Sequence, residues 1–342
     1  MIKGRTIVRV LLGASILIFA LWYMQKGVNL DSMVEIIRQS NPYLLFLTLP
    51  IIIASHVVRA RRWQTLLLPS NHPTHLGRAF KAVMIGYASN TIVPRSGEFI
   101  RPWVFARREN IPLGTSLSSV LVERVLDVLT LLLGICLVMF ITPSRFAEML
   151  PGFTPTVVAL RLALPMAIIV ALITLLVFTP LGVVAARRLV ARIHVGFAAK
   201  LELLLTTVNT GMRALGEPRL YVRLASETVI LWTLYIIPLW MVAMSLPFLS
   251  ANTLSLMDAS IILVIIAVGV TIAPTPGALG VYQSFAQVAL VVLAGATQTE
   301  GLAFGILTWL VNYGVALIVG AVCWIIESRN GISLRAIRTS SD

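Results

Sequence analysis

The chain has 342 residues, 58% of them hydrophobic and 12% charged, with a mean hydropathy of +0.92, where an ordinary soluble domain has roughly 45–50% apolar and about 25% charged residues. No single globular core buries that much apolar side chain, so a soluble enzyme is excluded and several lipid-dissolved segments are required. The net charge of +13 points either to nucleic acid or to loop bias in a membrane protein, and the placement of the cations decides between them.

The first apolar run, Ile7–Met24, follows Lys3, Arg5 and Arg9. Tyr23-Met24-Gln25-Lys26 offers no small-residue cleavage site, so a retained anchor is expected rather than a signal peptide. Tyr43–Val58 is the next span. Ala79–Val93 is also apolar but is broken at Pro94–Gly97, the sequence PRSG. Leu117–Thr142 and Val157–Pro180 are long enough to cross. In residues 186–215, Leu189, Ile193, Phe197, Leu201, Leu204 and Val208 recur at helical spacing, which suits either an interfacial amphipathic helix or a cytoplasmic connector packed on the bundle. Leu224–Leu246 is a further span. Ala259–Ala294 is broken at Pro274–Gly277, the sequence PTPG, and Leu302–Ile326 is the last span before a basic tail, residues 329–342. Cys136 and Cys323 lie inside apolar runs and read as small packing residues.

Proline removes an amide donor and glycine loosens the backbone. Unpaired backbone at membrane depth survives only inside protein or beside a water-filled cavity. The two broken stretches are therefore expected to be re-entrant hairpins. With six crossings and the N-terminus inside, 22 of the 27 cations fall on the cytoplasmic side, four (Lys26, Arg38, Arg145 and Arg161) fall outside, and Arg124 lies within a span. This obeys the positive-inside rule, so topology explains the charge and no nucleic-acid partner is expected. The same count makes the hairpins enter from opposite sides. The fold expected is an all-α polytopic membrane protein with about six full spans plus two oppositely oriented re-entrant hairpins, an inverted-repeat, transporter-like architecture. One membrane-embedded domain, residues 1–328, would have halves 1–142 and 224–328 joined by the connector, with both termini on the cytoplasmic side of the inner membrane.

The polar residues cluster. Asn90 leads into Pro94–Arg101, where Glu98 and Arg101 are spaced to pair on a helix. Glu123, Arg124 and Asp127 fall within a span, with Glu123 and Asp127 on one face. Ionised groups there cost about 2.5–3.5 kcal/mol each on insertion scales, so they are expected to face the bundle interior and to hold partners, for which Arg95 and Arg101 are the candidates. The plain alternative is that these ion pairs only pin helices together. The Arg95 guanidinium beside a proline break suits phosphate oxygens. Glu98, Glu123 and Asp127 either receive a cationic moiety of the same headgroup or neutralise the arginines, and they are the available proton carriers. Pro274, Pro276, Gly277 and Gln283 complete the candidate set in the second hairpin. His56, His72, His75 and His194 form no metal spacing, and no P-loop, GxSxG or HExxH occurs, so neither a metal nor a cofactor is expected.

Taken together, Asn90, Pro94, Arg95, Gly97, Glu98 and Arg101, then Ser116, then Glu123-Arg124-x-x-Asp127, then PTPGALGVYQ at Pro274–Gln283, resemble the transmembrane region of lysylphosphatidylglycerol synthases. That flippase-like domain also occurs as stand-alone membrane proteins, and the resemblance runs from about Ile7 to Ile326. It implies lipid translocation between leaflets. The expectation here is a stand-alone member without the synthase domain. The family usually reads PGGLG with a glutamate following, whereas this chain has Gly277-Ala278-Leu279-Gly280 and then neutral Gln283, which favours a neutral, zwitterionic or anionic substrate.

The function expected is therefore translocation of a polar-headgroup lipid, a phospholipid with a phosphate-bearing headgroup, through a central polar cavity, with no catalytic residues. Its partners are membrane lipids, with a lipid-modifying enzyme as a further partner to be considered; the sequence assigns no oligomeric state. The alternative is an accessory protein or enzyme in the glycosylation or modification of a polyprenyl or isoprenoid lipid.

Overall fold

The structure is a computed structural model that describes residues 27–68, 74–149, 154–191, 218–249 and 254–330, with Gly152 and single positions between 199 and 207. The expected first span, Ile7–Met24, the tail and most of the amphipathic connector lie outside the described residues. Among the described residues every regular element is helical. In chain order these are α1 (Leu30–Gln39), α2 (Pro42–Leu67), α3 (Leu76–Ile92), α4 (Gly97–Glu109), α5 (Leu113–Ile141) and α6 (Pro143–Met149). Then follow α7 (Pro155–Val157), a π-helical stretch (Val158–Ala163), α8 (Leu164–Phe178), α9 (Pro180–Ala191), α10 (Pro218–Ser245) and α11 (Leu256–Ile272). After a single 3-10 turn (Pro276–Ala278) come α12 (Val281–Ala294), α13 (Gln298–Trp309), a second π-helical stretch (Leu310–Gly314) and α14 (Val315–Arg329).

Local sequence sets the ends. Asn41 caps α2, accepting from the Tyr43 and Leu44 amides, with Pro42 in the first turn, and Ser255/Asp258 and Thr297/Glu300 form capping boxes for α11 and α13. Each satisfies amide donors that no intrahelical carbonyl can reach.

Among the described residues, six helical stretches are long and apolar enough to cross a bilayer: Pro42–Leu67, Leu113–Ile141, Pro155–Leu175, Pro218–Ser245, Pro276–Ala294 and Gln298–Arg329. Five coincide with expected spans. The sixth falls inside the second broken stretch, where the sequence reading placed a hairpin and not a span. Its helix proper, α12, has 14 residues, and at 1.5 Å per residue it is about 21 Å long, short of the ~30 Å hydrocarbon core. Exposed apolar side chains such as Phe46, Leu133, Leu160, Val229 and Ile318 stud the long helices, as lipid-facing surface requires. This is a multi-pass membrane protein.

Each short pair packs as a hairpin, α3 on α4 and α11 on α12. The first is closed by backbone contact. A Cβ built on Gly97 would lie 2.1 Å from the Gly86 carbonyl oxygen, so only glycine allows this crossing. Around the hairpins, α2 lies along α10, α4 against α5, α12 against α13, α3 against α14, and α11 against α5. The two largest buried clusters centre on Trp63, Met84 and Phe105 and on Ile262, Leu290 and Phe304.

Candidate functional site

The helix that the sequence reading ended at Val58 continues to Leu67. That extension changes the site. It carries Arg59 and Arg62, counted above as cytoplasmic loop cations, into the protein interior, where they are 6% and 0% exposed. Arg59 donates through Nη1 to Glu123 Oε1 at 2.8 Å, through Nη2 to Asp127 Oδ2 at 3.1 Å, and through Nε to the Tyr235 hydroxyl at 3.0 Å. Arg62 pairs with Asp127 Oδ1 and lies 3.6 Å from Glu123 Oε1. From α4, Arg101 Nη2 reaches Glu123 Oε2 at 2.8 Å, and its guanidinium sits over the Trp63 ring at 3.9 Å. Four elements, α2, α4, α5 and α10, thus converge on two carboxylates.

The cluster is deep. Asp127 is the midpoint of α5, about 21 Å from either end at the helical rise. Three buried guanidinium groups face two carboxylates, and Arg124, 41% exposed along its side chain, adds a fourth at 3.8–3.9 Å. The Nε atoms of Arg62, Arg101 and Arg124 are shielded from solvent and have no acceptor among the described residues. The site is therefore rich in donors and in positive charge. Buried charge without a counter-charge is expensive, so an anionic group would find both charge and hydrogen bonds here.

Arg124 also lines a cavity of about 520 Å³ between the start of α4, the first turns of α5 and the segment that contains Leu203 and Thr207. Its wall is polar at Glu98, Arg124 and Thr207 and apolar at Phe99, Leu117 and Leu121. Pro102, inside α4, has no N–H, so the Glu98 carbonyl loses its helical donor beside this cavity.

The other predicted residues meet at the hairpin tips. Asn90 Oδ1 accepts from the Gly97 amide at 2.7 Å and closes the first turn. Arg95 occupies the left-handed region at φ 62° and donates to the Thr271 carbonyl at 3.4 Å. Pro274 and Pro276 shape the opposite tip, where a Cβ on Gly277 would lie 3.0 Å from Thr91 Cγ2. The Gly277 carbonyl accepts from Trp309 Nε1 at 2.7 Å.

Three expectations need correction. Arg95 is not a partner of Glu123 or Asp127: it is exposed at the tip, and Arg59 and Arg62 take that role. Glu98 does not pair with Arg101, because Arg101 turns to Glu123; Glu98 makes no ion pair among the described residues. Gln283, 4% exposed, accepts from the Gly280 amide at 2.8 Å and caps α12, so it holds the turn from within rather than facing the cavity. The signal for Arg59 and Arg62 was available, since they stand at i, i+3 in a stretch that has no proline between Pro50 and Pro69. Tyr235 carried no such signal. His72 and His194 lie outside the described residues, and among the described residues no group of three or more His, Cys, Asp or Glu side chains is arranged to hold a metal.

Residues 7–320 match the model of the family described as the lysylphosphatidylglycerol synthase TM region. Over 103 residues, 29% of this chain and 31% of the relative, the chain is 29% identical to the UPF0104 membrane protein MJ1595 of Methanocaldococcus jannaschii. Over 134 residues, 38% of this chain and 22% of the relative, it is 28% identical to the glycosyltransferase AglD of Haloferax volcanii. These matches span less than a third of either curated relative. No solved structure matches the chain significantly.

Proposed function

The chain belongs to the lysylphosphatidylglycerol synthase TM region family, and from that premise we propose that it is a lipid translocase, passing a phosphate-bearing headgroup between leaflets while the acyl chains stay in the bilayer. The observation that carries this reading is the positive cluster of Arg59, Arg62, Arg101 and Arg124 against Glu123 and Asp127, midway along α5, reached through Arg124 from a largely apolar cavity with Glu98, Ser118 and Thr207 in its wall. Stapling helices together needs balanced pairs. A surplus of guanidinium groups whose Nε atoms lack acceptors instead suits a site completed by an anion.

The packing supports a two-fold design. Exchanging α2, α3, α4 and α5 for α10, α11, α12 and α13–α14 maps the main contacts onto one another: α2 on α3 becomes α10 on α11, α4 on α5 becomes α12 on α13, and α3 on α14 becomes α11 on α5. In this reading the two short pairs are re-entrant hairpins of opposite orientation, and the translocation path runs between their tips. The chain sits in the inner membrane with both termini in the cytoplasm, as the cation distribution favours.

The test is headgroup-labelled phospholipid exchange in proteoliposomes, with an Arg124→Ala/Glu98→Ala variant of verified fold alongside. Exchange that is fast in the native protein and lost in the variant supports the proposal; equal rates in protein-containing and empty vesicles, with and without a proton gradient, sink it. A second reading, participation in lipid-linked glycosylation, is favoured by the similarity to AglD. In that case deletion of the gene would deplete lipid-linked sugars without changing phospholipid exchange.

A further inference from the structure

Glu98 and Arg124 differ from every other charged member of the site. The remaining carboxylates and guanidiniums are tied to one another in the buried cluster, whereas these two line the open cavity. Glu98 makes no ion pair among the described residues, and the pairs of Arg124 are long, at 3.8 and 3.9 Å, with its Nε shielded and lacking an acceptor. One wall thus presents an unmatched anion and an under-matched cation that do not satisfy each other. Around them lie the Ser118 and Thr207 hydroxyls and the apolar side chains of Phe99 and Leu121. A ligand that settles all of these carries a negative and a positive group in one polar head attached to a hydrocarbon body.

We infer that this cavity seats a zwitterionic phospholipid headgroup bearing a primary ammonium, with the phosphate on Arg124, the ammonium on Glu98 and the first acyl carbons along Phe99 and Leu121. The inference rests on the reading of the chain as a lipid translocase and narrows its substrate class. Charge selects the zwitterion over a purely anionic head. The cluster behind Arg124 carries more guanidinium than carboxylate and attracts any phosphate, while Glu98 hydrogen-bonds an ammonium and is left without a counter-charge by a head that carries only the phosphate. The volume, about 520 Å³, lies within the ~300–1,000 Å³ usual for small-ligand sites, enough for a headgroup but not for whole acyl chains. These continue into the bilayer past Phe99, which is 69% exposed.

The test is binding of short-chain phosphatidylethanolamine and phosphatidylglycerol to the purified full chain in detergent, followed by native mass spectrometry and calorimetry. Inorganic phosphate and free phosphoethanolamine serve as soluble arms. Phosphatidylethanolamine should bind about tenfold or more tightly than phosphatidylglycerol, a difference of about 1.4 kcal/mol. Glu98→Gln should bring the two near parity, and Arg124→Gln should weaken both. Equal binding of the two lipids by the native chain, or a Glu98→Gln variant with unchanged preference, overturns the assignment. Binding of inorganic phosphate or phosphoethanolamine as tight as that of the lipid also overturns it and makes this a soluble-anion site. Selective binding by a chain that exchanges no lipid in vesicles keeps the headgroup assignment and removes the translocase reading, so the two fail separately.

Discussion

Replacing Glu123 with glutamine removes the carboxylate on which three buried arginines converge and keeps its volume. Glu123 is fully buried, 2.8 Å from Arg59 Nη1, 2.8 Å from Arg101 Nη2 and 3.6 Å from Arg62 Nη2. An opposite charge at about 4 Å contributes about 4 kcal/mol at an effective dielectric near 20; part of this is cancelled by the cost of burying the ions. Breaking a buried pair from one side therefore costs about 3–5 kcal/mol. Arg59 and Arg62 keep Asp127 as a partner, while Arg101 is left over Trp63 without a counter-ion, so most of the loss falls on α4. At roughly 2 °C per kcal/mol, extrapolating from chains of about 150–250 residues, the unfolding midpoint should fall by about 6–10 °C. Cys136 and Cys323 are free and buried, so a thiol-reactive fluorophore reports the transition without labelling the folded state. Adding Arg101→Met to Glu123→Gln should recover part of the loss, because it removes the stranded charge. An unchanged midpoint in the single variant, or a strictly additive double variant, refutes this account of the cluster.

The other expectations concern the hairpins and their anchorage at the open ends. Gly97→Ala places a methyl group against the Gly86 carbonyl and should destabilise by more than ~1–3 kcal/mol, the usual cost of overpacking; a folded, unshifted protein in the same thiol assay would contradict the crossing. Arg95 holds a left-handed conformation that costs a non-glycine residue about 1–2 kcal/mol, so Arg95→Gly should raise the unfolding midpoint where Arg95→Ala does not. Glu327, 1% exposed, joins Lys81 of α3 and Arg108 of α4 to α14. Glu327→Gln should speed proteolysis between residues 69 and 110 under limited trypsin digestion, and Glu327→Asp should slow it again; identical cleavage in both would show that the triad does not anchor the hairpin.

The long helices were legible because each announces itself by an apolar run and a cap or proline at its start. The breaks at Pro94–Gly97 and Pro274–Gly277 were legible because proline and glycine act locally. Which charges meet was not, because partner choice depends on helix rotation and length. Arg59 and Arg62 looked like loop cations only because hydropathy falls where α2 leaves its apolar stretch, although nothing there stops a helix. Arg95 attracted attention by its neighbours in sequence, yet its positive φ turns it along the tip and away from α5. Gln283 was read by its missing charge, while its position three residues after Gly280 made it a cap.

The glycine contact in the first hairpin has a mechanical meaning. α3 and α4 touch backbone to backbone at Gly86 and Gly97, the tip is tied by Asn90, and the open ends are fastened where Glu109 accepts from the His75 amide and Arg78. Scissoring such a pair would break all three ties, so a displacement that keeps them carries both helices together as one stiff lever. Any displacement of Glu98 is then shared by Arg101, whose grip on Glu123 becomes the joint between that lever and the rest of the molecule.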